Sequence, residues 1–136
     1  MAREILFRAK RIDDGEWVEG FLFSTSEHTY IAYQNQFDDD LFLSAKEIFI
    51  EVDPETVCQY AGYTDLHKQK AFEHDIVFYE DGGCNGHITF KEGQFLIEWE
   101  ESRPDLKSDI HFWFTQRRIH IIGNIFDNPE LIGDQP

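Results

Sequence analysis

Apolar residues in this chain come in short alternating runs of about five, each stopped by a turn signal, which points to closely spaced strands rather than helices. Glu4 to Lys10 sets the pattern: Ile5, Phe7 and Ala9 face one way, and Leu6, Arg8 and Lys10 the other. Asp13-Asp14-Gly15 supplies a turn, and Glu16 to Phe23 returns with Trp17, Phe21 and Phe23. Thr29 to Tyr33 is a third strand, followed by an acidic loop at Phe37-Asp38-Asp39-Asp40. Ile48 to Val52 is a fourth, ending at Asp53-Pro54, where Asp can cap a helical turn and Pro can fill its first position.

The polar stretch Ala61 to His74 reads as a connection or a short irregular helix. Asp75 to Tyr79, His87 to Phe90 and Gln94 to Trp99 are strands. They are separated by a glycine-rich turn (Asp81-Gly82-Gly83 with Asn85-Gly86) and by Lys91-Glu92-Gly93. After the polar loop Glu100 to Asp109, Ile110 to Phe114 reads as a strand, with Ile110, Phe112 and Phe114 alternating against His111 and Trp113. Ile119 to Phe126 is the last and most apolar strand, and Asn128 to Gly133 a capped helical turn ending on glycine. The expected class is mainly β, a small antiparallel sheet or barrel with a short capping helical turn.

Composition supports this reading. Thirteen Phe, five Tyr and three Trp suit strands and carry large burial areas, while a single Met argues against a helical bundle. At 136 residues one domain is expected, and it needs no disulfide staple. Cys58 and Cys84 form no framework and read as buried reduced thiols. The N-terminus lacks the apolar core of a signal peptide, and no apolar run reaches membrane-spanning length. A soluble, cytoplasmic protein is the expectation. The formal charge of −15, from 27 acidic and 12 basic residues, repels a phosphate backbone and disfavours direct nucleic-acid binding.

Four blocks resemble a known family. They are Phe7-Arg8-Ala9 with Gly20; Val52 to Gly62, similar to Asp-Pro-(Glu)-Thr-Val-x-Gln-Tyr-x-Gly; Phe72 to Val77, similar to a block written Glu-Gly-Asp-Ile-Val; and Ile121 to Leu131, similar to Ile-Gly-Asn-Ile-x-(Asp/Glu)-Asn-Pro-Glu-Leu. With them the chain is identified as a member of the YopX family of phages and prophages. His74 departs from the pattern by standing where the family usually has Gly, and Leu66 to Ala71 lacks the usual Lys-Asn-Gly-like turn. The resemblance implies a single domain over 1–136, with an N-terminal β subdomain at about 1–60 and an SH3-like barrel at about 72–127. It also implies a small accessory protein inside the bacterium, and little about activity.

No constellation of catalytic type stands out. Cys84 and His87, with His74 nearby, make at most half a zinc site, since a structural site wants four ligands at paired spacing. Asp38-Asp39-Asp40 lacks the alternate positions and glycine bend of a calcium loop. Pro104-Asp105-Leu106-Lys107 leaves no room for a separate metal-binding strand of a nuclease. Gly82-Gly83-x-x-Gly86 precedes a strand, not the helix of a phosphate loop, and Cys58 has no adjacent His to activate it. His111 and His120 are expected on strands. No metal, cofactor or small-molecule substrate is expected.

In the Val52 to Asp65 stretch, Asp53 and Pro54 can cap a turn, Gln59 can satisfy backbone groups, Tyr60 can pack its ring and Gly62 can take a positive φ. The functional alternative is that Gln59, Tyr60 and Asp65 line a binding groove. The expected role is a non-enzymatic interaction or assembly module, with self-association or a protein partner. The alternatives are an acidic decoy for a host nucleic-acid-binding protein and a small metal- or thiol-dependent enzyme.

Overall fold

A computed structural model describes residues 4–33 and 49–133. The acidic loop at Asp38, Asp39 and Asp40, and Ile48, lie outside the described residues. The chain divides into two compact units, Met1–Tyr60 and Ala61–Pro136.

In the first unit, β1 (Phe7–Lys10), β2 (Trp17–Ser24), β3 (Thr29–Tyr33) and β4 (Phe49–Glu51) lie in the antiparallel order β4-β3-β2-β1, and the start of β5 (Cys58–Thr64) pairs with β1. One face carries the core, in which Ala9, Val18, Ile31 and Val52 are buried and Phe7, Ile50 and Val57 pack against them. Gly20 sits on that face opposite Phe7, where an added Cβ would run into the Ala32 carbonyl and Ile31. The Asp53-Pro54 stop is a 3₁₀ turn (Pro54–Thr56) with Pro in its first turn. The Asp53 carboxylate accepts from Glu55 N at 3.0 Å, as the local signal predicts. Thr56 closes it by donating to Asp53 O at 2.7 Å and accepting from Lys10 N at 2.9 Å.

In the second unit the rest of β5 is followed in its sheet by β6 (Lys70–Phe72). A further antiparallel sheet has the order β10-β7-β8-β9, from β7 (Asp75–Tyr79), β8 (Cys84–Lys91), β9 (Gln94–Trp99) and β10 (Ile119–Asn124). Its core holds Val77, Ile88, Ile97, Ile119 and Ile121, with Trp113 and Phe114 of helix α1 (Ile110–Thr115). Both sheets are antiparallel. Among the described residues the four-stranded sheet ends on β9 and β10, so no closed barrel forms.

Three expectations need correction. Ile110 to Phe114 is a helix, not a strand. Asp109 accepts from His111 N (3.0 Å) and Phe112 N (3.4 Å), and the residues buried are Ile110, Trp113 and Phe114, one helical face at i, i+3 and i+4. The cap satisfies free N–H groups that a strand would have had to pair elsewhere, and His111 therefore lies on a helix. Ala61 to His74 is not a helix or a plain connection, because β5 runs to Thr64 and β6 follows. Asn85-Gly86 is strand rather than turn: Gly86 pairs with Val77 and Trp99, and Asn85 with Phe78. A Cβ at Gly86 would lie 2.8 Å from the Trp99 ring and 2.9 Å from Ile97, so this glycine makes room for a neighbour instead of bending the chain.

Candidate functional site

The candidate groove residues fall in different places. Gln59 is paired with Phe7, and Tyr60 N donates to Leu6 O at 2.8 Å, both in the first unit. Asp65, in the second, is buried, and its carboxylate accepts three backbone N–H groups. Oδ1 takes His67 N (2.9 Å) and Gln69 N (3.0 Å), and Oδ2 takes Ile121 N (2.9 Å) across 56 positions of sequence. Those bonds hold the turn after β5 against β10, a structural use of a carboxylate.

Two grooves open in the second unit, and neither is lined by Gln59, Tyr60 or Asp65. The larger, about 510 Å³, lies among Ala61 and Tyr63 of β5, Phe95 and Leu96 of β9, and Ser108 to Ile110 before and at the start of α1. Tyr63 stacks on Phe114 at 5.4 Å and its hydroxyl sits 3.0 Å from His111 Nδ1. Burial, with the nearby Asp109 carboxylate, pushes the Tyr63 phenol up, so it stays neutral and shares a proton with the imidazole instead of acting as a base.

The second groove, about 390 Å³, is lined by His87, Glu98, Trp99, Glu100 and Glu101 on the sheet side and by the closing 3₁₀ turn (Pro129–Ile132) on the other. Burial lowers the His87 pKa, keeping the ring neutral, while Glu98 at 3.5 Å pulls the other way. Glu98 is also paired with Lys91.

Among the described residues no three His, Cys, Asp or Glu side chains gather in a metal-binding arrangement. Cys84 and His87 are three apart on β8 and so point to opposite faces, Cys84 to the buried one. Burial raises the Cys84 thiol's pKa against the opposing influence of Arg103, and Cys58 donates its S–H to Thr56 O at 3.2 Å. The shift disfavours a thiolate at Cys84, the form that a nucleophilic cysteine needs. Asp105 is held in a two-point pair with Arg103 (3.1 Å for each bond), which keeps its carboxyl below the usual range.

Residue-by-residue reading missed one surface. On the face of the first sheet opposite its core, Phe49, Ala32 and Phe21 form one row across β4, β3 and β2, and Glu51, Tyr30 and Phe23 the next. Phe21 is 53% exposed, Phe23 50% and Phe49 41%. Phe23 lies 5.8 Å from Phe49 and 6.3 Å from Tyr30, ring to ring. Trp17 carries Arg8 and Lys10 over its ring at 4.8 and 5.5 Å. The signal was Phe21-x-Phe23 at period 2, on the strand face opposite Val18 and Gly20.

The YopX protein family model matches residues 6–133. The chain belongs to the YopX family. Its YopX blocks coincide with places where the backbone is locked. Gly62 has φ +94°, and His74, where the family usually has Gly, keeps that left-handed geometry at φ +73°, with its N–H on Ile88 O (2.7 Å) and its C=O taking Ile125 N (3.0 Å). In the closing YopX block, Asn124 Oδ1 accepts from Phe126 N (3.0 Å) and Asp127 N (2.9 Å), and the Asn128 side chain occupies the space a Cβ on Gly123 would need.

A crystal structure of protein EF1440 from Enterococcus faecalis has a similar fold. It is 20% identical, with a TM-score of 0.56 over 96% of this chain and 99% of that one. No functionally curated protein matches the chain. No helix among the described residues is long and apolar enough to cross a membrane.

Proposed function

We propose that this YopX protein is a non-enzymatic accessory protein of phage or prophage origin, acting in the bacterial cytoplasm by protein interaction, and that its first partner is a second copy of itself. The observation that carries this is the aromatic face of the first unit. Phe21, Phe23 and Phe49 each leave roughly 100 Å² in water, and Glu51, which meets His28 at 2.7 Å, is the charged residue in the Phe23 row. The small Ala32 stands between Phe21 and Phe49 in their row. We read the β7–β10 sheet with α1 as an open relative of an SH3-like barrel that presents no catalytic constellation. Burial of both thiols, with the raised pKa of Cys84, counts against a thiol enzyme.

Two chains of net charge −15 repel each other, so association should strengthen as salt screens them. Sedimentation velocity across dilution at low and high NaCl tests this, with Phe21→Ser/Phe23→Ser as the comparison. A salt-strengthened dimer lost in the double variant supports the reading; a monomer at high concentration in high salt removes it.

The carboxylates of the 390 Å³ groove favour a second reading, an acidic decoy that binds a basic host nucleic-acid-binding protein. It requires binding competed by DNA and weakened by salt, the opposite salt response to self-association.

A further inference from the structure

We infer that the C-terminal 3₁₀ turn, Pro129–Ile132, is a strap over the β8–β9 face whose opening is set by charge across the groove beneath it. The turn springs from a rigid post. Asn124, Asn128 and Gly123 are interlocked, Asn128 N donates to Asn124 O at 2.8 Å, and Ile125 N reaches His74 O at 3.0 Å. Beyond the post the attachment changes character. None of the turn's four residues is buried. Its bonds include Leu131 N to Asn128 O (3.0 Å) and Gly133 N to Glu130 O (3.4 Å), and Asn85 Nδ2 reaches across from β8 to Leu131 O at 2.7 Å.

The two walls carry like charge. Glu130 lies on the strap, and Glu98, Glu100 and Glu101 on the sheet side. Lys91 and the half-buried His87 are engaged with Glu98, which leaves Glu100 and Glu101 facing the strap's own carboxylate. Repulsion across a solvated groove is modest and is screened within a Debye length of about 8 Å at physiological salt. It acts on a turn with no buried residue, so it shifts the open fraction without touching the core. Opening uncovers His87 and Trp99 on the groove floor.

The test is amide hydrogen exchange, residue by residue, on the full chain at 20 and 500 mM NaCl. Expected are slower exchange at Leu131 and Gly133 in high salt, by about two- to threefold, and loss of that salt response in Glu130→Gln. Asn85→Ala should speed exchange at these two amides about fivefold while Ile88 and Ile97 keep their protection. A salt-independent wild type, or a Glu130→Gln variant with the wild-type salt response, overturns the charge control. Acceleration in Asn85→Ala that spreads equally to Ile88 and Ile97 overturns the strap as a separate opening unit. Self-association is monitored separately at the same protein concentration, since the strap does not depend on it.

Discussion

The two units differ in where most of their aromatic residues lie, although Phe90 of the second is also exposed. In the second, Trp113 and Phe114 are buried, and Tyr79 and Trp99 lie 4.8 and 4.9 Å from the Trp113 ring. Both Trp99 and Trp113 donate their indole N–H to Lys107 O, at 2.9 and 2.6 Å. In the first, the buried cluster among the described residues is Ala9, Val18, Ile31 and Val52, with Phe7, Ile50 and Val57 packed against it, and Phe21, Phe23 and Phe49 are exposed on the reverse face. Large apolar side chains placed where folding does not use them mark a surface available for association.

Substitutions in the two units should separate these roles. The largest effect is expected for Asp65→Ala, which strands three backbone donors, including the buried Ile121 N–H. It should cost about 3–4 kcal/mol in denaturant unfolding, and Asp65→Asn should recover part of that. Ile97→Ala, at a fully buried site of the second core, should cost about 3 kcal/mol by the same measurement. Gly20→Ala and Gly86→Ala form a matched pair, one in each sheet, and each should cost about 2 kcal/mol or more. Gly20→Ala should be the worse, because the atom nearest its Cβ is the Ala32 carbonyl oxygen, whereas at Gly86 side-chain atoms of Trp99 and Ile97 come first and the Glu98 carbonyl oxygen lies at 3.0 Å.

A pH response is expected from His87 of the second unit. Burial holds the folded pKa of His87 below the ordinary 6.5, so the folded state binds fewer protons than the unfolded chain. Its contribution is fully present above 6.5 and is lost as pH falls from there through the folded value. His87→Gln should therefore flatten the decline in melting temperature between neutral pH and pH 5. The smallest effect is expected for Phe21→Ser or Phe23→Ser, under about 0.5 kcal/mol on monomer stability, although both should weaken association. A loss there as large as that of Ile97→Ala would mean that the aromatic face is structural and end the contrast between the units.

Much of the fold was legible because strand period and turn chemistry are local. The Asp53-Pro54 cap, the positive φ of Gly62 and the strands flanking Lys91-Glu92-Gly93 follow from neighbouring residues alone. Ile110 to Phe114 misled because five apolar and aromatic residues fit either period, and what decides is the Asp109 cap together with a core that accepts Trp113. Ala61 to His74 misled because polar composition hides a strand whose carboxylate clip, Asp65, answers an N–H 56 positions away.

By itself the sequence determined the antiparallel β class, the family and the local stops, since each rests on residues within a few positions of one another. Tertiary structure alone decided that the Asp65 carboxylate clips Ile121 N of β10, that Cys84 and His87 diverge, that Gly86 yields to Trp99, and that Phe21, Phe23 and Phe49 share an exposed face. Those outcomes depend on which strands become neighbours, and strand pairing is set by the burial of the whole core rather than by any run of residues along it.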